Sequence, residues 1–256
     1  MMCLRLLCWG VGLLLLVGSV TQPGAAQIQI ISGVTREVSG NPEHVAITDV
    51  NNDGIGDAVV SASTEDHVTV LLGDGQGGFL SMITSPIGRA LGDIATLDFN
   101  GDGCQDIAVL DNRVVRSVAI TVQGNCNGIF SNPQEHPLPD GARRADDLTV
   151  GEFDVADGPD VAVAHSFRGA VFSLYNRGDN HGFEPLSEFA MEGDPIALAS
   201  GDFNSDGYDD LVTVDDDPRT VDEVVVLLND HERSYERPVN YVLGLHPTDL
   251  TVADFN

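Results

Sequence analysis

The chain carries nine-residue acidic turns whose oxygen atoms fall on alternate residues. The first reads Asp49-Val50-Asn51-Asn52-Asp53-Gly54-Ile55-Gly56-Asp57. Asp49, Asn51, Asp53 and Asp57, at positions 1, 3, 5 and 9, bring side-chain oxygens, while Ile55 at position 7 offers only its backbone carbonyl. Gly54 at position 6 accepts the positive φ that folds such a loop back on itself. The pattern recurs at Asp98, Asn100, Asp102, Cys104 and Asp106, and again at Asp202, Asn204, Asp206, Tyr208 and Asp210. Oxygens spaced this way converge on one point. Ca²⁺ accepts about six to eight of them at adaptable angles, whereas Mg²⁺ demands a stricter octahedron and keeps its waters. Three carboxylates in one hairpin repel one another unless a cation or protons relieve them.

Two further turns depart from the pattern. Glu152, Asp154 and Asp160 form a weaker version, in which Ala156 removes the position-5 carboxylate and Asp157 replaces the glycine. Asp254 and Asn256 open a fifth turn that stops after its third residue. An EF-hand loop opens similarly but needs a bidentate Glu at position 12 between helices. Here position 12 is Val60, Val109 or Thr213, which excludes that loop and dockerin-type loops with it. The remaining alternative is an Asx-rich hairpin turn that binds nothing.

The turns begin at Asp49, Asp98, Glu152, Asp202 and Asp254, at intervals of 49, 54, 50 and 52 residues. An aliphatic residue precedes each start by four positions (Val45, Ile94, Leu148, Leu198, Leu250), followed by a small one. After each complete turn comes a short apolar run, as in Ala58-Val59-Val60 and Ile107-Ala108-Val109, which reads as a strand buried on both faces. A third strand is expected over Val68–Leu72, Val118–Val122, Val171–Tyr175 and Val224–Leu228. A Gly/Asn-rich turn and an aromatic residue follow: Phe79, Phe130, Phe183 and Tyr235. Units of about four strands and roughly fifty residues match the blades of an all-β propeller of antiparallel strands. Solenoid coils are usually shorter and sandwiches longer. Blades are expected to start near residues 42, 91, 145, 195 and 247, so that residues 27–256 hold four blades and the start of a fifth.

The runs Asp98–Asp106 and Asp202–Asp210, with Val68–Leu72 and Gly78-Phe79, resemble the FG-GAP/VCBS repeat family, whose best-known member is the integrin α N-terminal propeller. The resemblance spans nearly all of residues 40–256. It implies Ca²⁺ in the hairpin between the first two strands of a blade, held by the aspartates and asparagines named above. It also implies closure with seven blades, of which this chain would be a fragment. The literal Phe-Gly and Gly-Ala-Pro signatures of integrins are absent, so the chain looks closer to exported bacterial proteins of VCBS type.

Residues 1–26 read as a secretory signal: Arg5, then an apolar stretch from Leu6 to Val20, then Gly24-Ala25-Ala26 at the expected cleavage point. That stretch is short for a membrane span, which disfavours an uncleaved anchor. Removal of the signal would leave Cys104 and Cys126, which lie in two turns on one side of the second blade. In an oxidising compartment they would either pair or remain as two buried thiols. The formal net charge is −28, which argues against nucleic acid and anionic membranes as partners.

Catalytic signals are absent. There is no Gly-x-Ser-x-Gly elbow, no phosphate loop and no paired-histidine spacing among His44, His67, His136, His165, His181, His231 and His246. Arg143-Arg144, Asp146-Asp147 and Asp215-Asp216-Asp217 read as exposed loop residues. The expected function is an exported, calcium-binding, non-catalytic scaffold for a protein or glycan ligand, contacted through loops such as Asp111–Ser117, Ser166–Ala170 and Asp215–Glu223. The alternative is the propeller portion of a larger secreted enzyme such as a polysaccharide lyase.

Overall fold

The structure is a computed structural model that describes residues 36–112, 117–139, 145–155, 158–178, 182–184, 186–216, 222–244 and 246–254. The signal segment, Arg143-Arg144, Ala156, Asp157, His181 and Asn256 lie outside them. The described residues form four four-stranded antiparallel sheets, each a meander in chain order. Sheet 1 contains β1 (Pro42–Thr48), β2 (Asp57–Ala62), β3 (His67–Gly73) and β4 (Phe79–Pro86). Sheet 2 contains β5 (Leu91–Leu97), β6 (Asp106–Asn112), β7 (Ser117–Gly124) and β8 (Phe130–Pro137). Sheet 3 contains β9 (Asp147–Gly151), β10 (Asp160–His165), β11 (Ala170–Leu174) and β12 (Ser187–Ala190). Sheet 4 contains β13 (Pro195–Gly201), β14 (Asp210–Asp215), β15 (Glu223–Leu227) and β16 (Val239–Val242). One 3₁₀ turn, Ser166–Arg168, is the single helical element among the described residues.

The second strands are the most buried, as their unbroken apolar runs predict. Every residue of β2, β10 and β14 is buried, because each strand is flanked laterally by its own sheet and covered on both faces. Three apolar cores lie between consecutive sheets, around Val59 and Ile107, around Leu110 and Phe172, and around Tyr175 and Leu211. Neither face of one sheet could be covered without its neighbours. First strands meet in succession, β1 against β5, β5 against β9, and β9 against β13. The small residues Ala46, Ala95, Thr149 and Ala199 allow that approach.

The repeats are not uniform at the aromatic landmark. Phe183 and Tyr235 do not open a fourth strand as Phe79 and Phe130 do; each makes an isolated bridge, to Asn176 and Asn229, and the strand resumes later. Residues 246–254 form no strand.

A polar seam ties the first strands together. His44, Asp93 and Asp147 hold the same repeat position in β1, β5 and β9, five residues before each acidic start. His44 Nδ1 lies 3.0 Å from Asp93 Oδ1. Asp93 Oδ2 accepts the Leu148 N–H at 2.9 Å, and Asp147 Oδ2 accepts the Leu198 N–H at 2.7 Å. Asp93 and Asp147 also bond to each other, which requires a shared proton. Burial, and then the hydrogen bond and negative charge of Asp93, push Asp147 up to about 9. Burial opposes ionisation of Asp93 too, but hydrogen bonds from His44 and Asp147 outweigh it and hold Asp93 low. The folded protein therefore binds one more proton than the unfolded chain between about pH 4 and pH 9, so this pair costs stability as pH rises through that window. Asp147→Asn keeps the donor to Asp93 and the acceptor for Leu198 without a titrating proton. Urea midpoints measured from pH 4 to pH 9 should show the wild type falling behind the variant, by at most about 1.4 kcal/mol per pH unit. Parallel curves would exclude a shared proton.

Candidate metal centre

The three complete turns share one hydrogen-bond pattern. In the first, Asp49 accepts the N–H groups of Asp53 at 3.1 Å and Gly54 at 2.7 Å. Asn51 Oδ1 accepts the Asp53 N–H, and Asp53 Oδ1 accepts that of Ile55. Asp98, Asn100 and Asp102 repeat these bonds, as do Asp202, Asn204 and Asp206. Position 6 has positive φ in all three, at Gly54, Gly103 and Gly207. So does position 4, at Asn52, Gly101 and Ser205, which the oxygen spacing alone did not reveal.

Position 9 has a different place from positions 1, 3 and 5. Asp57, Asp106 and Asp210 point inward and are buried. One oxygen of each accepts the N–H of position 2, at Val50, Phe99 and Phe203. The other accepts an N–H at the end of the third strand, at Gly73, Gly124 and Asn229. Asp160 makes the same two bonds, to Phe153 and Asn176, although its turn is the irregular one. Burial pushes Asp106 and Asp160 up to about 7; the accepted N–H groups pull down, and the carboxylates at positions 1 and 3 or 5 push up. Asp57 and Asp210 are raised in the same way.

Position 2 is a second feature that a search for oxygen ligands passes over. Its carbonyl accepts from the following sheet: Val50 from Gly128 N–H at 3.3 Å, Phe99 from Asn176 Nδ2 at 2.7 Å, and Phe153 from Asn229 Nδ2 at 2.7 Å. All four acidic turns are thus held by their own sheet through position 9, and the first three by the next sheet through position 2. The signal was available in the recurring apolar residue after each acidic start (Val50, Phe99, Phe153, Phe203).

The turns differ in how their charge is met. In the third, Asp154 is buried and bonds Arg233 Nε at 2.8 Å. Arg233 also reaches Glu184 at 3.6 Å and lies 5.2 Å from the centre of the Tyr175 ring. In the fourth, Asp206 meets His231 Nε2 at 2.8 Å, and the Tyr208 N–H, with His231 and Asn204, holds it below the usual carboxylate range. In the first two turns, no cationic side chain pairs with Asp49, Asp53, Asp98 or Asp102 among the described residues. The donors there are oxygen only, the chemistry of a hard divalent cation. Asp49, Asn51, Asp53 and the Ile55 carbonyl, and their counterparts Asp98, Asn100, Asp102 and the Cys104 carbonyl, would hold it. Such an ion would neutralise the crowded carboxylates.

Cys104 and Cys126 form a disulfide across the second sheet, from the acidic turn to the turn before β8. Asn52 Nδ2 of the first acidic turn donates to Gly103 O and contacts Cys126 Sγ, which brings the first two turns together. Asp254 is exposed and outside any strand. The expected exposure of the paired acids is overturned: Asp146 accepts the Ser166 N–H, Asp147 belongs to the seam, and buried Asp215 accepts the Asp194 N–H. Among the described residues, one group of three metal-ligating side chains has its atoms within 4.8 Å, and it lies elsewhere: Asp216, Asp222 and His246, with the imidazole raised first by Asp216 and then by Asp222.

Residues 49–109 match the family model described as FG-GAP-like repeat, so this stretch is an FG-GAP-like repeat, as the motif resemblance implied. No curated protein sequence matches the chain significantly. Two solved structures are distantly similar. One is a Photorhabdus luminescens Tc holotoxin pore, at 16% identity and a TM-score of 0.46, covering 93% of this chain and 11% of that one. The other is the V. cholerae biofilm matrix protein Bap1, at 18% identity and a TM-score of 0.45, covering 81% and 29%. The chain therefore spans less than a third of either.

The inward position-9 carboxylates yield a test that needs no metal. With chelator present, Asp57→Ala strands two buried N–H groups and should cost about 2–6 kcal/mol in urea unfolding, with Asp57→Asn losing about half of that. Loss of stability seen only with calcium present would mean that this residue acts through an ion alone. In the third turn, Arg233→Ala should cost about 1–3 kcal/mol, because buried Asp154 loses its guanidinium partner. An unchanged midpoint would remove that pairing from the account.

Proposed function

We propose that the four sheets are blades of a β-propeller, and that the protein is an exported, calcium-stabilised, non-catalytic scaffold that binds a protein or glycan partner. One observation carries the calcium: two turns that share the bonds of positions 1, 3 and 5 gather carboxylates with no cationic side chain among the described residues, whereas Arg233 and His231 serve the other two. A charge problem met by arginine in one copy of a repeat is met by a divalent ion in another. The FG-GAP-like repeat over residues 49–109 supports the same reading. Support for the propeller comes from the meander topology and the serial contact of first strands. The apolar leader at residues 6–20 supports export. The scaffold presents turns at both ends of each sheet. Of the loops expected to carry contacts, only Ser166–Ala170 is described throughout, since residues 113–116 and 217–221 lie outside the described set.

Thermal unfolding in a calcium titration tests this. An ion bound only by the folded state adds RT ln(1 + [Ca²⁺]/Kd), about 2.7 kcal/mol at a hundred times Kd. Extracellular modules bind at roughly 10⁻⁴–10⁻³ M, so the melting temperature should rise through the millimolar range and fall back with chelator. Asp53→Ala and Asp102→Ala should each reduce the calcium stoichiometry by one, and magnesium should not substitute. A melting curve indifferent to calcium would sink the metal reading.

A further inference from the structure

Repeat positions can be matched across the sheets through the N–H that position 9 accepts at the end of the third strand: Gly73, Gly124, Asn176 and Asn229. The residue before each is Leu72, Gln123, Tyr175 and Leu228. Two residues earlier stand Val70, Thr121, Ser173 and Val226, whose partners on the fourth strand are Ile83, Gln134, Ser187 and Val239. These positions face the junction with the following sheet. In the first junction they are Val70, Leu72 and Ile83, packed into the apolar core, with Gly128 of sheet 2 seated against Ile83 and Leu72. In the third, buried Tyr175 fills the space under Arg233, and the Ser173 hydroxyl is 3.1 Å from that of Tyr235.

The second junction has the same geometry and opposite chemistry. Thr121, Gln123 and Gln134 stand where aliphatic residues fill the first, and a cleft of about 380 Å³ opens there, within the roughly 300–1,000 Å³ of small-molecule sites. No acidic or basic side chain lines it apart from His136, although the chain has 40 acidic residues. Burial lowers the His136 pKa, which disfavours the charged imidazole, and the ring bonds Thr121 Oγ1 at 3.0 Å. Phe183 forms the opposite wall, edge-on to His136 and Phe99. The backbone is irregular here, as it is at Leu72/Gly73 in the first sheet, but among the described residues only the second sheet has a left-handed non-glycine residue on its fourth strand. The β7–β8 register shifts at Thr121/Gln123, and Asn132, on the bulged strand opposite, takes a φ of +55°. Bulges and left-handed non-glycine residues cluster where a side chain is re-aimed toward a ligand. Asn132 Nδ2 donates to Gln123 Oε1 at 3.1 Å, which leaves the Asn132 carbonyl oxygen and the Gln123 NH₂ for another partner.

We infer that the cleft between sheets 2 and 3 binds a neutral pyranose unit of a glycan, with the amides of Gln123, Asn132 and Gln134 on its hydroxyls and the Phe183 ring against its C–H groups. This rests on the scaffold reading and names the ligand class and its place. A neutral, hydroxyl-rich ring with an apolar face matches uncharged amide donors and acceptors set beside an aromatic ring. An acidic sugar is disfavoured by a net charge of −28.

The test is a titration of the full chain, in calcium, with methyl glycosides of glucose, galactose and mannose and with N-acetylglucosamine, followed by saturation-transfer NMR; glucuronate is the charged control. At least one neutral glycoside should bind with Kd of roughly 1 mM. Gln134→Ala should weaken it about tenfold. Gln123→Leu, which brings in the residue type found at position 72, should abolish it. Both residues lie at the cleft surface, so melting temperatures and the calcium response should be retained. Binding that neither variant disturbs would overturn the cleft while leaving a glycan-binding scaffold. No neutral glycoside binding at tens of times that concentration, with the calcium response intact, would overturn the ligand class without touching the scaffold. Preference for glucuronate would overturn it as well.

Discussion

A single buried carboxylate in each sheet organises the architecture. It reaches back to the start of its own acidic turn and across to the end of the third strand, fixing three strand ends with two hydrogen bonds. The constraint is severe because both N–H groups are buried and would otherwise be stranded. It explains why the ninth residue is Asp in all four turns, the irregular third included. It also separates two roles that the acidic motif merges. Positions 1, 3 and 5 stay on the outer side of the loop, while position 9 holds two backbone N–H groups on the inner side.

From that anchor the turn extends outward to the next sheet. The carbonyl of position 2 is held by the neighbour, so the acidic turns act as hinge pins between sheets as well as closures of hairpins. At the opposite end of the first strands, the His44–Asp93–Asp147 seam does the same work with side chains. Both devices join N–H donors of one sheet, from backbone or asparagine side chain, to oxygen acceptors of the sheet before it. Apolar packing alone is non-directional. The pairing of particular N–H groups with particular carbonyls and carboxylates sets the registration between sheets.

Much of this was legible in the chain. The period, the second strands and the turns follow from short β-branched runs and alternating oxygen residues, which are local signals. Phe79 and Phe130 open their strands, but Phe183 and Tyr235 make isolated bridges beside Glu184 and Arg233, which pair with each other while Arg233 also holds Asp154. No local rule announces a partner that lies 79 residues away. The same holds for Asp147 and Asp215, which look like exposed loop acids until the amides that occupy them are seen. Acidic residues at strand ends are ambiguous from sequence, since solvation and amide binding ask for the same residue type.

A repeat protein reuses its junctions, and what varies at a fixed junction position shows what each copy is for. Position 72 and its equivalents read Leu, Gln, Tyr and Leu. If packing were the only demand on them, the second copy would carry an aliphatic or aromatic residue as the others do, because an amide at a core-facing position forgoes apolar burial and must find polar partners. Gln123 is accompanied by Thr121 and Gln134 on the same face and by a displaced backbone at Asn132, so the change involves a whole wall rather than one residue. Sheets 2 and 3 remain joined through Leu110, Phe172 and the Asn176–Phe99 bond, which carry the packing that this wall no longer supplies. The junction can be open at its rim because it is closed beneath. That division lets one position in a stability-limited array take on recognition without loosening the stack.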